Sequence, residues 1–158
     1  MRTATVHELK ETLQQHTQGE LLQLCLRLAR FKKENKELLT YLLYEAGGTD
    51  AFITSVQEET DALFETVNRN QVYLAKKTLR KILRNLSKYS RFSGNPLVEA
   101  ELHLHFCQLF LASGLPIQKH QVLKNMLLAQ QKKIVKAIQQ LHEELQFDLN
   151  KKFLKLFP

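Results

Sequence analysis

The sequence predicts an all-α protein, a single-domain bundle of about seven helices arranged as antiparallel hairpins. The chain has 158 residues, near the usual size of one domain, and only five glycines and three prolines, so few positions break a helix. Leu, Lys, Gln and Glu, which are abundant, all favour helices. Apolar residues also recur at spacings of three and four along most of the chain. Because successive hairpins have similar lengths, an α-solenoid remains open as an alternative layout.

Capping signals and breaks place the helices in order. Thr5-Val6-His7-Glu8 and Thr17-Gln18-Gly19-Glu20 both have the Ser/Thr-x-x-Glu form of a capping box, which begins a helix. Asn35 is interpreted as a break, and Asp50 as the residue that caps the fourth helix. The predicted helices run from the first box to about His16 and over residues 20–33, 36–46, 50–67, 72–92, 96–113 and 116–145.

The apolar patterns predict which of these helices are buried. Leucines cover a wide arc of helix 20–33, so we expect that helix to be well buried. Helix 96–113 is apolar nearly all round and belongs at the centre of the bundle. The tail, residues 147–158, is a short amphipathic segment that docks loosely or frays.

The last predicted helix carries an incomplete heptad pattern, with Leu127, Ile134 and Leu141 seven residues apart. A second row of apolar residues at the same spacing is interrupted by the polar residues Lys124 and Gln131. Packing of this helix within the domain is therefore favoured over a dimeric coiled coil. The choice between monomer and homodimer stays open.

The positive charge is concentrated in one segment. The formal net charge is +7, but residues 1–65 carry −4, residues 66–98 carry +8 without a single acid, and residues 99–158 carry +3. On a helical wheel the apolar residues of helix 72–92 cover about 120°, and its cations cover an adjoining arc of about 140°. These cations are the candidate partner- or phosphate-binding residues: Lys76, Lys77, Arg80, Lys81, Arg84, Lys88 and Arg91.

The basic face predicts a non-enzymatic binding or adaptor module that presents helix 72–92 to an acidic protein partner. The alternative is sequence-nonspecific binding of an RNA or DNA backbone, because the cations span about 22 Å and Tyr73 projects beside them. Tyr89 and Phe92 lie off the basic arc, and no helix-turn-helix or zinc-finger pattern is present. Two further interpretations assign the face no partner. Carboxylates of the acidic helix 50–67 neutralise it within the fold, or it is simply a solvated surface.

Residues 99–107 contain the one His/Cys cluster. Glu99, His103 and Cys107 share a helix face, and such side chains can bind zinc, so they are weak metal candidates. A metal-dependent or thiol enzyme using this helix is the second alternative, but no second ligand pair, oxyanion hole or glycine-rich phosphate loop accompanies the cluster. We therefore expect no catalytic residues, no metal, no cofactor and no small-molecule substrate.

The two cysteines, Cys25 and Cys107, lie in apolar helical patterns rather than in a disulfide framework. The first residues lack the apolar core of a signal peptide, and the longest apolar-rich run, 102–116, is too short to cross a bilayer. The sequence therefore predicts a cytoplasmic protein without a membrane partner.

Two local patterns carry a family resemblance. Leu9-Lys10 with Leu13 and Glu20-Leu21-Leu22 with Leu24 are similar to the first two helices of small, uncharacterised all-helical bacterial proteins. The resemblance covers about the first third of the chain together with the basic helix. It implies a helical fold, and it implies no activity, because none is assigned to those proteins.

Overall fold

The computed structural model describes all 158 residues, and every regular element in it is helical. The all-α prediction is therefore confirmed. One turn of π-helix, Tyr41–Glu45, follows the third helix, and a short 3₁₀ turn, Ile117–Lys119, precedes the seventh. The eight α-helices are α1 (Val6–Leu13), α2 (Gln18–Phe31), α3 (Lys33–Thr40), α4 (Thr49–Glu65), α5 (Val72–Ser93), α6 (Pro96–Ala112), α7 (Gln121–Ile138) and α8 (Glu143–Leu156).

The chain divides into two compact units, an N-terminal unit of Met1–Tyr44 and a C-terminal unit of Glu45–Pro158. The single-domain assignment for residues 1–158 stays a prediction.

Both capping boxes of the N-terminal unit are confirmed. The backbone N–H of Thr5 donates to the Glu8 carboxylate at 2.7 Å, and that of Thr17 donates to Glu20 at the same distance. Each carboxylate has a lowered pKa, mainly because this backbone hydrogen bond stabilises its charged form.

The predicted break at Asn35 is displaced in the structure. The extended residue is Lys32, and Asn35 lies within α3, the third helix, which begins at Lys33 rather than at Lys36. The Asn35 side-chain amide donates to the Leu28 carbonyl at 2.9 Å, near the end of α2. Asn35 thus helps to close one helix while being part of the next.

The prediction that the second helix is well buried is wrong. No residue of α2 is buried, and Leu28 and Phe31 are 61% and 76% exposed. The N-terminal unit has only three α-helices, so α2 has just two helical neighbours there, which is too few to enclose an apolar arc that wide. An open groove of about 610 Å³ lies between α2 and α3, with Leu26 and Leu39 among its lining residues.

The core of the C-terminal unit surrounds α6, as predicted for the most apolar helix. Helix α6 packs against α4, α5, α7 and α8, and eight of its residues are buried. Phe106 is fully buried, with its ring 5.4 Å from that of Phe64 and 5.6 Å from that of Phe110. Asn95 caps α6 and Pro96 occupies its first turn, where a missing N–H costs little.

Helices α4 and α5 form an antiparallel hairpin, as predicted. The Phe52 ring near the start of α4 meets the Tyr89 ring near the end of α5, with centroids 6.1 Å apart. Asp50 is not the cap of α4, because the helix begins at Thr49 with Gly48 before it, and Asp50 lies in the first turn. Its charge there still favours the positive end of the helix dipole. At the other end, Gly94 closes α5 with φ 59°, which is the left-handed conformation that glycine adopts readily.

The long predicted helix 116–145 is interrupted in the structure. Helix α7 ends at Ile138 and α8 begins at Glu143, so the expected tail belongs to a complete helix. A straight continuation would carry Leu149 about 16 Å beyond Ile138 along the axis, whereas both residues are buried in the fold. The Gln146 side chain donates to the Leu141 carbonyl at 2.7 Å, which satisfies a backbone group freed by the break.

None of the eight helices combines the length with the apolar character that crossing a lipid bilayer requires.

Candidate binding face on the basic helix

Helix α5 is held in the fold by one apolar side. Ala75, Leu79, Ile82 and Leu86 recur at steps of four, three and four residues, and each is at most 1% exposed. This spacing keeps all four on one side of the helix, against α4 and α6. The cations between them are consequently turned away from the core.

The structure leaves most of the predicted basic face in solvent. Lys77, Arg80, Lys81, Arg84 and Arg91 are exposed, whereas Lys76 and Lys88 are half-buried. The two half-buried lysines lie over aromatic rings. The Nζ atom of Lys76 is 5.4 Å from the centre of the Tyr73 ring, and that of Lys88 is 4.8 Å from the centre of the Tyr89 ring.

Four of these cations are free of ion pairs within the protein. Lys77, Arg80, Lys81 and Arg84 form no salt bridge. Their spacing of i, i+3, i+4 and i+7 places them on one side of α5 over about 10 Å. We call these four residues the basic stripe.

The carboxylates of α4 do not neutralise the basic stripe. Glu59 accepts hydrogen bonds from the Asn85 amide at 3.3 Å and from the Tyr89 hydroxyl at 2.9 Å, and Asp61 pairs with the His105 ring at 2.6 Å. Glu58 and Glu65 are exposed and form no ion pair. Glu59 and Asp61 thus bind polar groups other than the stripe cations, and Glu58 and Glu65 pair with none of these cations.

One aromatic side chain accompanies the basic stripe in solvent. Tyr73 is 71% exposed, one turn before Lys77. Tyr89 is half-buried, and both its ring and its hydroxyl contact α4. Phe92 is half-buried beside it, with ring centres 6.2 Å apart. A run of aromatic residues on which successive bases can stack is absent from this face.

The weak metal candidates are not arranged as a metal site. No group of three His, Cys, Asp or Glu side chains comes together in a way that holds a metal ion. Glu99 is 3.9 Å from the Lys133 ammonium group, while His103 and Cys107 are fully buried. Burial raises the pKa of the Cys107 thiol to about 12, so the nucleophilic thiolate is not formed at neutral pH.

His103 is the most unusual polar residue of this helix. Both of its ring nitrogens are buried, and neither makes a hydrogen bond of good geometry, although the Gln130 side chain lies close enough to the ring to oppose part of the pKa shift. Burial, followed by the nearby charge of Lys133, lowers the pKa of His103 from 6.5 to about 4. The neutral ring is therefore part of the core at physiological pH.

Acidification is expected to destabilise the fold through His103. The unfolded chain binds the proton near pH 6.5 and the folded chain only near pH 4. The unfolded state therefore holds more protons in this window, and the free energy of unfolding falls as the pH drops through it, by up to about 3 kcal/mol. Urea unfolding measured across this pH range tests the expectation.

Two histidine variants distinguish the contribution of His103 to the pH dependence of stability from that of the other histidines. His103→Leu removes the titrating ring and should flatten the pH dependence, whereas His120→Gln changes an exposed histidine and should leave the slope in place. An unchanged slope in His103→Leu would show that other groups cause the acid sensitivity.

A polar groove between α4, α6 and α8 was not anticipated from the sequence. Its volume is about 480 Å³, and Lys152 of α8 pairs across it with Glu101 of α6 at 2.5 Å. His105, which the sequence places about 200° from His103 on the helical wheel, lines this groove. No local motif marks these residues, because they meet only once the break after Ile138 turns α8 back onto α6.

Comparisons with known proteins do not identify a family. No family model matches the chain, and no match is found among curated proteins or solved structures. The resemblance to small all-helical bacterial proteins is neither supported nor contradicted.

Proposed function

We propose that this protein is a binding or adaptor module that uses the basic stripe of α5 to hold an acidic surface of a protein partner. In this proposal the stripe recognises the partner, and the chain catalyses no reaction. Lys76 of the same helix adds a further positive charge beside the four stripe residues.

The observation that carries the proposal is the absence of internal partners for Lys77, Arg80, Lys81 and Arg84, although acidic residues lie on the adjacent helix. A helix held by a fully buried apolar side presents these charges on a fixed scaffold. Little conformational freedom of the backbone is lost when a partner binds, which favours affinity. The four charges also attract an oppositely charged surface before contact, which speeds association.

Two observations favour a protein partner over a nucleic-acid backbone. Tyr73 is the one strongly exposed aromatic residue of α5, so base stacking has little support. The four unpaired cations also extend over only about 10 Å, the length of two helical turns, which suits a carboxylate cluster on a folded surface. The alternative is nonspecific binding of an RNA or DNA backbone through the same face. An experiment must distinguish it from binding of an acidic protein.

A reducing compartment is part of the proposal. Neither Cys25 nor Cys107 forms a disulfide, and Cys25 is exposed on α2. An exposed free thiol is typical of proteins in a reducing cytoplasm. We therefore infer that the protein acts there.

Fluorescence anisotropy with two kinds of labelled probe tests the proposed function. A short polyglutamate peptide imitates an acidic protein surface, and single-stranded and duplex oligonucleotides of equal charge represent a nucleic-acid backbone. We expect the peptide to bind with an affinity that weakens moderately between about 50 and 200 mM salt.

The probes distinguish the two classes of partner. Tighter binding of the peptide than of either oligonucleotide supports the acidic-protein proposal. Tighter binding of an oligonucleotide, with an affinity for the duplex that falls by about a hundredfold over the same salt range as expected for four phosphate contacts, would support the nucleic-acid alternative instead. Absence of binding to every probe at low salt would contradict both.

A further inference from the structure

An open apolar groove lies between α2 and α3 in the N-terminal unit. Its volume is about 610 Å³, and each helix lines it with residues three or four positions apart, which share one face. Leu26, Ala29 and Arg30 line it from α2. Leu39 lines it from α3, and Leu43 from the turn of π-helix that follows. This surface is separate from the basic stripe.

The N-terminal unit does not cover this groove with its own side chains. None of its residues is buried, and Leu43 and Tyr44, which line the groove, are 64% and 78% exposed. The unit, Met1–Tyr44, is close to the lower size limit at which a chain forms a core unaided. A concave apolar surface left open in this way is typical of a site that another molecule occupies.

The groove is positively charged at the end where Lys32 connects α2 to α3. Arg30, Lys33 and Lys36 line this end. Lys33 is offset by the Glu37 carboxylate, which lies 3.7 Å from its ammonium group. Arg30 and Lys36 are exposed and form no ion pair within the protein. No Asp or Glu side chain lines the groove, so these two charges are available to a ligand.

The two ends of the groove together indicate the chemistry of its occupant. Away from the connection the lining is largely apolar, with Leu39, Leu43 and Tyr44. A matching ligand carries apolar side chains along one side and carboxylates towards one end. An amphipathic peptide helix offers this arrangement, because apolar residues at spacings of three and four form one face, which packs into a hydrophobic groove.

The chain's own amphipathic helix, α1, does not match the groove. On a helical wheel Lys10 lies about 70° from the centre of the apolar side of α1, whereas Glu8 and Glu11 are more than about 130° away. Docking α1 from this chain or a second copy would therefore bring Lys10 towards the cations of the groove. Two copies docked groove to groove would set cations against cations or against leucines, and both arrangements are unfavourable.

We propose that the groove between α2 and α3 binds an acidic amphipathic helix of a partner protein. Leu26, Leu39 and Leu43 receive the apolar side of this helix. Its carboxylates lie beside Arg30 and Lys36. The basic stripe of α5 requires only negative charge in its ligand, whereas the groove also requires apolar side chains. The two proposals concern different surfaces, and each can fail without the other.

Fluorescence anisotropy with two labelled peptides tests the groove. The amphipathic peptide has about 16 residues, with leucines at spacings of three and four and glutamates towards one end. The scrambled peptide has the same composition, but its leucines do not share a face. We expect the amphipathic peptide to bind at least about tenfold more tightly, because only its leucines can be buried together in the groove. Absence of binding, or equal binding of both peptides, would overturn the proposal.

Leu43→Gln and Leu42→Gln are a matched pair of variants. Both side chains are exposed, by 64% and 56%, but only Leu43 lines the groove. Leu43→Gln should weaken binding of the amphipathic peptide by about tenfold, because a leucine contact is lost, and Leu42→Gln should leave it unchanged. Both variants should keep their helical circular dichroism. Equal affinities of the two variants would contradict the assignment to the groove.

Charge reversal tests whether the partner helix must be acidic. The double variant Arg30→Glu and Lys36→Glu reverses the two unpaired cations of the groove. The control, Arg27→Glu with Lys32→Glu, changes the net charge equally at exposed positions that do not line it. At low salt the first variant should bind the amphipathic peptide at least about tenfold more weakly than the control. Equal affinities would show that the groove does not select acidic helices.

Backbone amide shifts caused by the amphipathic peptide show which surface it occupies. Shifts centred on α2 and α3 support the groove. Shifts centred on α5 would overturn the proposal, because the peptide would then be a further ligand of the basic stripe. Charge reversal of the stripe should abolish binding of polyglutamate and leave binding of the amphipathic peptide largely unchanged.

Two further measurements test other occupants of the groove. Vesicles of phosphatidylcholine and phosphatidylglycerol represent an anionic membrane surface, and sedimentation equilibrium detects a second copy of the chain. If vesicles bind but the amphipathic peptide does not, and Leu43→Gln weakens vesicle binding more than Leu42→Gln, a membrane surface replaces the partner helix. A dimer that only Leu43→Gln dissociates would show that a second copy covers the groove. Either result would overturn the proposal.

Discussion

Reversing the charge of the basic stripe is expected to abolish binding of an acidic partner without unfolding the protein. In the triple variant Lys77→Glu, Arg80→Glu and Arg84→Glu, attraction is replaced by repulsion at three exposed positions. We expect the affinity for polyglutamate to fall by at least about a hundredfold at low salt. Fluorescence anisotropy measures this loss.

The fold should tolerate this change. None of the three side chains forms an ion pair within the protein, so no internal contact is broken. Exposed substitutions of this kind usually alter stability by no more than about 0.5 kcal/mol each. If the variant keeps its helical circular dichroism but no longer binds the peptide, the result supports the stripe as the binding face.

A control variant with the same net charge shows whether binding depends on where the substituted cations lie or only on the total charge of the protein. The variant Lys132→Glu, Lys136→Glu and Lys151→Glu changes the net charge equally but alters exposed lysines of α7 and α8. It should retain most of the affinity of the natural protein. If both triple variants lose binding equally, the interaction depends on overall charge and the assignment to α5 is wrong.

Truncation of Phe106 is expected to cause a large loss of stability. Its fully buried ring contacts those of Phe64 and Phe110 in the helix around which the C-terminal unit is packed. Phe106→Ala leaves a cavity there and should lower the free energy of unfolding by about 3–5 kcal/mol. Urea denaturation followed by circular dichroism measures the loss.

Phe147 offers a matched control for this truncation. It lies on α8 and is 71% exposed, so Phe147→Ala should change stability by no more than about 0.5 kcal/mol. Similar small losses in both variants would show that α6 is not the centre of the core.

The sequence was most informative where a local pattern is clear. The spacing of apolar residues predicts the buried side of α5 and the cations on the adjoining arc, the apolar character of α6 on all sides predicts its central position, and the Thr-x-x-Glu pattern predicts both capping boxes. In each case the local pattern and the tertiary packing favour the same arrangement.

The features that escaped prediction depend on tertiary contacts. The break after Ile138 has no glycine or proline, yet α8 must turn back to bury Leu149 against the core. The exposure of α2 could not be seen either, because a leucine-rich arc reveals a preference for burial and not the presence of a neighbour. The polar groove lined by Glu101 and Lys152 combines residues far apart in the chain, and no motif connects them.

Binding of an acidic partner at the basic stripe of α5 can be located by mapping the backbone amide shifts that the polyglutamate peptide causes. We expect the largest shifts on the exposed side of α5, from Tyr73 to Arg84. Largest shifts in the groove between α2 and α3 or in the groove lined by His105, with α5 unaffected, would contradict it.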